Sequence, residues 1–161
     1  MKYVLKYRIL TTEELKELEN EFIQFLVVHG MLGDEWKKLN EENPNEAIEL
    51  VEIFSDTVLE KVYDSISYLE FRDTNLLVLL AFSTDGIEQI RIQQKNPFEL
   101  DLSNWQGLTA AFNSPEKLDA FYGKKHYTIN KNNEVHSFVS QGFVPSTSDF
   151  WKQIKEYIVP N

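Results

Sequence analysis

The chain has 161 residues, 16 basic and 26 acidic side chains, a net charge of −10 and no cysteine. The missing thiol excludes disulfides, thiolate metal sites, Fe–S ligation and a cysteine nucleophile. The acidity opposes a DNA- or RNA-binding surface, which needs clustered Lys and Arg to displace counterions from phosphate.

A length of ~150 residues suits one domain that buries roughly 70% of its unfolded surface. At 42% hydrophobic and 13% aromatic residues, the composition can fill a core. Lys2, Lys6 and Arg8 interrupt the N-terminal apolar residues, so no signal-peptide stretch starts there. The longest apolar run, 76–82, has seven residues, against the ~20 of a membrane helix. These features predict a cytoplasmic protein with no membrane association.

Thr11 and Glu14 have capping-box spacing. Leu15, Leu18, Phe22, Phe25, Leu26 and His29 then recur at three- and four-residue steps, which predicts an amphipathic helix over 12–29 with Gly30 as a left-handed C-cap. Asp34 caps a short helix over 35–42, and Asn43-Pro44-Asn45 breaks it. A third helix follows over 45–66. Its apolar face carries Ile48, Val51, Phe54, Val58, Val62 and Ile66, and Glu49, Glu52, Asp56, Glu60 and Asp64 form an opposite, solvated row. The first 60 residues hold six basic and fourteen acidic side chains, a net of −8, so the acidity belongs to the N-terminal helices.

The period then shortens to that of strands. Tyr68–Arg72, the apolar run 76–82 and Ile87–Gln93 read as an antiparallel meander, with Asp85-Gly86 as the hairpin turn. The most apolar strand lies in the middle, which suits cover on both faces. From 95 to 130 the pattern weakens. Residues 98–102 alternate like an edge strand, and Ser114-Pro115-Glu116 starts a helix carrying Leu118, Phe121 and Tyr122 that stops at Gly123. Val135, Phe138 and Val139 favour a helix before Gly142, with a strand over 134–141 as the rival. Residues 146–148 cap a last helix bearing Phe150, Trp151, Ile154, Tyr157 and Ile158. The expectation is a single α+β domain in which N-terminal and C-terminal helices flank a small antiparallel meander of three or four strands. Its parts are helices over 11–66, the meander over 67–94, an irregular segment over 95–130 and a helical pair over 131–159.

For chemistry, the row on the third helix is the sharpest feature. Carboxylates spaced by three and four residues suit a hard cation, but the Glu-x-x-His partners of a bundle di-metal site are absent. No His-Glu-x-x-His, Gly-x-Ser-x-Gly, P-loop or dinucleotide fingerprint occurs. No metal, cofactor or catalytic residue is therefore assigned. The binding candidates are Glu49, Glu52, Asp56 and Glu60, for a basic protein partner, and Trp105, which lies in the unpatterned stretch and fits an interface anchor. Replacing Glu52, Asp56 and Glu60 by Gln is expected to leave folding nearly intact if the row is solvated. Lys124, Lys125, His126 and Tyr127 form one small basic-aromatic spot.

Two blocks carry a resemblance. One runs from Tyr7-Arg8-Ile9-Leu10-Thr11-Thr12-Glu13-Glu14-Leu15 through Phe22-Ile23-Gln24-Phe25-Leu26 and Gly33-Asp34-Glu35-Trp36 to Phe54-Ser55-Asp56. The other is Glu134-Val135-His136-Ser137-Phe138-Val139 with Gln141-Gly142 and the closing helix. Together they resemble a family of small acidic bacterial proteins of unassigned function, over roughly half the chain and not over 95–130. The resemblance implies no catalytic residues and favours helix for 132–141. The leading functional expectation is a non-catalytic protein–protein interaction module, such as an adaptor, inhibitor or immunity-type binder, that uses an acidic helical surface and is a monomer or weak homodimer. The alternatives are an enzyme with a carboxylate-based, metal-dependent site and a nucleic-acid mimic.

Overall fold

A computed structural model describes residues 2–159. The chain divides inside one long helix into two compact units, Met1–Val62 and Tyr63–Asn161.

The first unit begins with an extended segment, then α1 (Thr12–Glu17), α2 (Glu19–Val28), α3 (Glu35–Glu42) and α4 (Pro44–Ser65). The capping box forms as its spacing predicts: the Glu14 carboxylate accepts the Thr11 N–H at 2.9 Å, and the Thr11 hydroxyl accepts the Glu14 N–H at 3.2 Å. Arg8 adds a two-pronged contact to Glu14 at 2.8 and 2.9 Å. That guanidinium, followed by the Thr11 N–H, lowers the Glu14 pKa to about 2. The single helix expected over 12–29 is broken at Leu18, whose ψ is 23°. Phe22 N–H still bonds the Leu18 carbonyl at 2.9 Å. Apolar spacing specifies the face of a helix, not a one-residue torsional offset. Gly30, at φ 82°, ends α2 in the left-handed region, and Met31 N–H reaches back to the Leu26 carbonyl. Asp34 precedes α3 but makes no side-chain cap; Glu35 accepts the Leu32 N–H instead. Phe22 and Phe25 pack on Phe54 with ring centres 4.9 and 5.3 Å away.

In the second unit the meander appears at the expected positions, β1 (Tyr68–Arg72), β2 (Leu76–Phe82) and β3 (Ile87–Gln94). Two more strands, β4 (Leu118–Lys125) and β5 (Val144–Pro145), complete a five-stranded antiparallel sheet in the order β4-β3-β2-β1-β5. The apolar β2 is central and almost wholly buried. One face of the sheet, with Leu77, Leu79, Ala81, Ile90 and Ile92, packs on α5 (Trp105–Phe112) and α7 (Ser148–Ile158) through Leu108, Ala111, Phe150, Trp151 and Ile154. α6 (Lys131–Ser140) is the helix that the apolar spacing favours over a strand. Its Lys131 ammonium donates to the carbonyls of Tyr63 and Asp64 at the end of α4, where a helix leaves acceptors unpaired. Among the described residues the fold is α+β, with helices on both sides of the strands in chain order.

The segment 95–130 departs most from expectation. Residues 98–102 are turns rather than an edge strand. Their organiser is Gln94, 3% exposed, which accepts from Leu100 N–H and donates to the Thr74 and Leu100 carbonyls and to Asn75. The helix expected from Pro115 stops after one 3₁₀ turn, Pro115–Lys117, and the chain becomes β4. Pairing with β3 overrides the helical spacing of Leu118, Phe121 and Tyr122. The helix actually present is α5, capped by Asn104, whose side chain accepts the Gly107 N–H at 2.7 Å.

Gly107 sits where a Cβ would lie 1.6 Å from the Asp101 carbonyl oxygen. Helix propensity alone makes Gly107→Ala stabilising by ~1 kcal/mol, whereas overpacking costs ~1–3 kcal/mol or more. The clash is with backbone and wins. A chemical-denaturation series should show Gly107→Ala less stable than wild type; a more stable variant would contradict the close approach.

Candidate functional site

The acidic row of α4 is the seat of the chain's own N-terminal segment. Tyr3 N–H donates to Glu49 at 2.7 Å. Asp56 receives three donors: the Tyr3 hydroxyl at 2.6 Å, Lys6 N–H at 2.6 Å and Tyr7 N–H at 2.9 Å. Glu60 accepts from the Tyr7 hydroxyl and, at 3.1 Å, from the Lys6 ammonium. Immediately before Asp56, the Ser55 hydroxyl accepts the Leu10 N–H and donates to the Val51 carbonyl. Tyr7 and Leu10 are buried by this contact.

The row is not solvated as its spacing predicts: Glu49, Glu52 and Glu60 are partly buried and Asp56 is buried. Asp56 is 6% exposed and Ser55 0%, whereas Ile48 and Val62, expected in the core, are 50% and 44% exposed. The buried side of α4 runs through Ala47, Phe54, Ser55, Asp56 and Leu59. It is rotated from the apolar stripe because residues 3–10 cover the polar flank. The Gln-replacement expectation falls with it at Asp56, where losing an acceptor leaves buried donors unpaired. Glu52 is only partly buried; it borders a 590 Å³ cleft with Lys2, Tyr3, Asn43, Asn45, Glu46 and Glu49. The walls of this cleft carry three carboxylates, which suit a cationic group.

Trp105 opens α5 rather than lying in a loop, and is 59% exposed. Its indole stands edge-on to Phe150, ring centres 5.3 Å apart. The Arg72 guanidinium lies 5.4 Å from the Trp105 ring centre and 4.6 Å from that of Phe150. Arg72 is held by Glu70 at 2.7 Å, and Glu70 by the Ser146 hydroxyl at 2.7 Å. The sequence singles out the tryptophan; its partners come from β1 and α7, and no sequence pattern joins them to it.

The basic-aromatic spot is largely neutralised internally. Lys124 faces Glu88 at 3.8 Å and Lys125 faces Glu134 at 3.5 Å. His126 Nδ1 lies 3.2 Å from the Asp85 carbonyl, and the Tyr127 hydroxyl donates to the Ser83 carbonyl. His29 Nδ1 lies 2.9 Å from the Phe25 carbonyl, and His136 meets the Tyr63 hydroxyl at 2.8 Å. Among the described residues no group of three or more His, Asp or Glu side chains is placed to hold a metal ion.

A family model matches residues 5–159, and so takes in residues 5–10 of the N-terminal strap that lies across α4, though not Tyr3, together with the 95–130 stretch that the sequence resemblance leaves out. The chain belongs to the family of unknown function DUF6495. No curated protein and no solved structure matches it. For this DUF6495 member no helix among the described residues is long and apolar enough to cross a membrane.

The strap sets a pH dependence. The hydrogen bond to Asp56, then burial, pushes the Tyr3 phenol up to about 12, and burial, then the bond to Glu60, does the same for Tyr7. Both folded values exceed the ordinary value of 10.0, so the stability they contribute is complete below about pH 10 and is lost as pH rises through about 12. Thermal melts between those limits should show wild type losing stability more steeply than a Tyr3→Phe/Tyr7→Phe variant. Equal slopes would mean that the phenols are not held by these carboxylates.

Proposed function

We propose that this protein is a non-catalytic protein–protein interaction module of the cytoplasm. The observation that carries the reading is Trp105. A tryptophan this exposed, yet fixed by an aromatic edge and a clamped guanidinium, presents a large apolar surface at little further cost in side-chain entropy. That combination suits an interface anchor. The indole N–H and the Arg72 guanidinium offer donors beside the ring, so the matching partner surface has an apolar pocket rimmed by carbonyl or carboxylate oxygens.

The acidic helical unit supports the same reading through long-range charge. Exposed Glu13, Glu17, Glu19, Glu21, Glu41, Glu42 and Glu46 remain after the strap has occupied Asp56, and a surface of one sign accelerates encounter with a basic partner. Three internal donors already engage the Asp56 oxygens, which supports a structural rather than a catalytic use of that carboxylate.

Trp105→Ala tests the proposal. Affinity capture from native cell extract should retain a defined partner on wild type and lose it on the variant, with thermal melts within a few degrees of each other. The same partner retained equally by both proteins would remove the anchor role from Trp105.

A further inference from the structure

We propose that two copies of this chain associate edge to edge through β4, as an antiparallel pair centred on Tyr122 and locked by Asp119 of each copy opposite Lys125 of the other. β4 is the long outer strand of the sheet, eight residues with β3 on one side only. The phase of the ladder tells which of its backbone groups are open. Lys95 N–H donates to the Lys117 carbonyl at 2.8 Å, so in the continuous register that follows, Asp119, Phe121, Gly123 and Lys125 turn their amides toward β3. The amides and carbonyls of Ala120, Tyr122 and Lys124 therefore point away from the sheet. An open edge of this length is a template for another strand.

The sequence of the edge is complementary to itself. With Tyr122 opposite its own copy, Ala120 meets Lys124 and the three outward residues supply about six backbone hydrogen bonds. The intervening positions, where side chains across the pair approach most closely, set Asp119 against Lys125 and Phe121 against Gly123, at both ends of the two-fold. Phe121 is 56% exposed and already lies over its own Gly123, with its ring 2.8 Å from where a Cβ would be. An aromatic ring over a glycine is a known way of covering a weak edge position. Lys125 reaches Glu134 at 3.5 Å with its side chain half exposed, so its ammonium has donors left for a second carboxylate. Shifting the register one way places Phe121 on its own copy and Lys125 opposite Lys117; the other way places Asp119 opposite Tyr127. Neither makes the charge pair.

Pairing through this edge also closes. The same strand is used on both copies, and the opposite edge of the sheet is β5, two residues including Pro145, which has no N–H to donate. The product is a two-fold dimer rather than a filament. Edge pairing alone makes a small interface, so the dimer is reversible, with a Kd between about 1 µM and about 1 mM. The copies carry −10 each, and work at ~150 mM salt, where the Debye length is ~8 Å, limits their mutual repulsion.

Sedimentation equilibrium over a concentration series, with thermal melts of every protein, tests the proposal. Wild type should dimerise reversibly. Asp119→Lys and Lys125→Asp should each raise the Kd on the order of tenfold or more, and the doubly reversed protein should regain the dimer. Ala120→Pro should give a folded monomer, since an outward edge amide is not needed within the chain. If Lys125→Asp is destabilised by facing Glu134, Asp119→Lys and Ala120→Pro still decide the matter. A wild type that stays monomeric to about 1 mM, a dimer indifferent to the edge substitutions, or a double reversal that folds but stays monomeric overturns the proposal.

Discussion

A carboxylate taken out of water has to find donors, and Asp56 is such a carboxylate. In the first unit most other features follow from how that need is met. Desolvating an ionised group costs several kcal/mol in practice, and three hydrogen bonds from uncharged donors, two of them backbone amides, offset the loss. The donors all come from residues 3–7. Fixing that stretch aligns Tyr7 and Leu10 for burial, delivers Arg8 to Glu14 and so sets the start of α1. One internal acceptor thus couples an otherwise irregular segment to the middle of the longest helix.

The second unit rests on a different constraint. β2 is apolar at every position and needs cover on both faces. β1 and β3 supply its ladder, while α5 and α7 close one face. The irregular chain between β3 and α5 is tolerable because buried Gln94 satisfies its backbone groups by side-chain bonds, taking the place of a regular ladder.

These constraints explain what was legible in the sequence. Strands 68–72 and 76–82 and helices 35–42 and 131–140 are local in origin: alternation, a short apolar run, and apolar residues three and four apart. β4 was not legible, because Leu118, Phe121 and Tyr122 also satisfy helical spacing and only pairing with β3 decides between the two. α5 was hidden by Gly107, whose helix-weakening character is required by the approach of Asp101 rather than by the helix. Charge periodicity identifies the acidic row as a row, but within it Asp56 is buried rather than solvated. Charge periodicity says which carboxylates share a face, but not that a tyrosine-bearing segment some fifty residues earlier in the chain will lie across them. Trp105 was visible as an isolated aromatic, whereas the guanidinium and phenyl ring that fix it come from Arg72 and Phe150 and are assembled only in space.

Coverage of Asp56 therefore closes that part of the acidic row to solvent. The most direct test is amide hydrogen exchange at Lys6 and Tyr7, compared between wild type and Asp56→Ala. Both amides should be protected in wild type, exchanging far more slowly than Lys2 or Val4, and should lose that protection in the variant while the β2 amides keep theirs. Fast exchange at Lys6 and Tyr7 in the wild-type protein would contradict the account: the segment would then not be seated on α4, and the acidic row would be open to a partner after all.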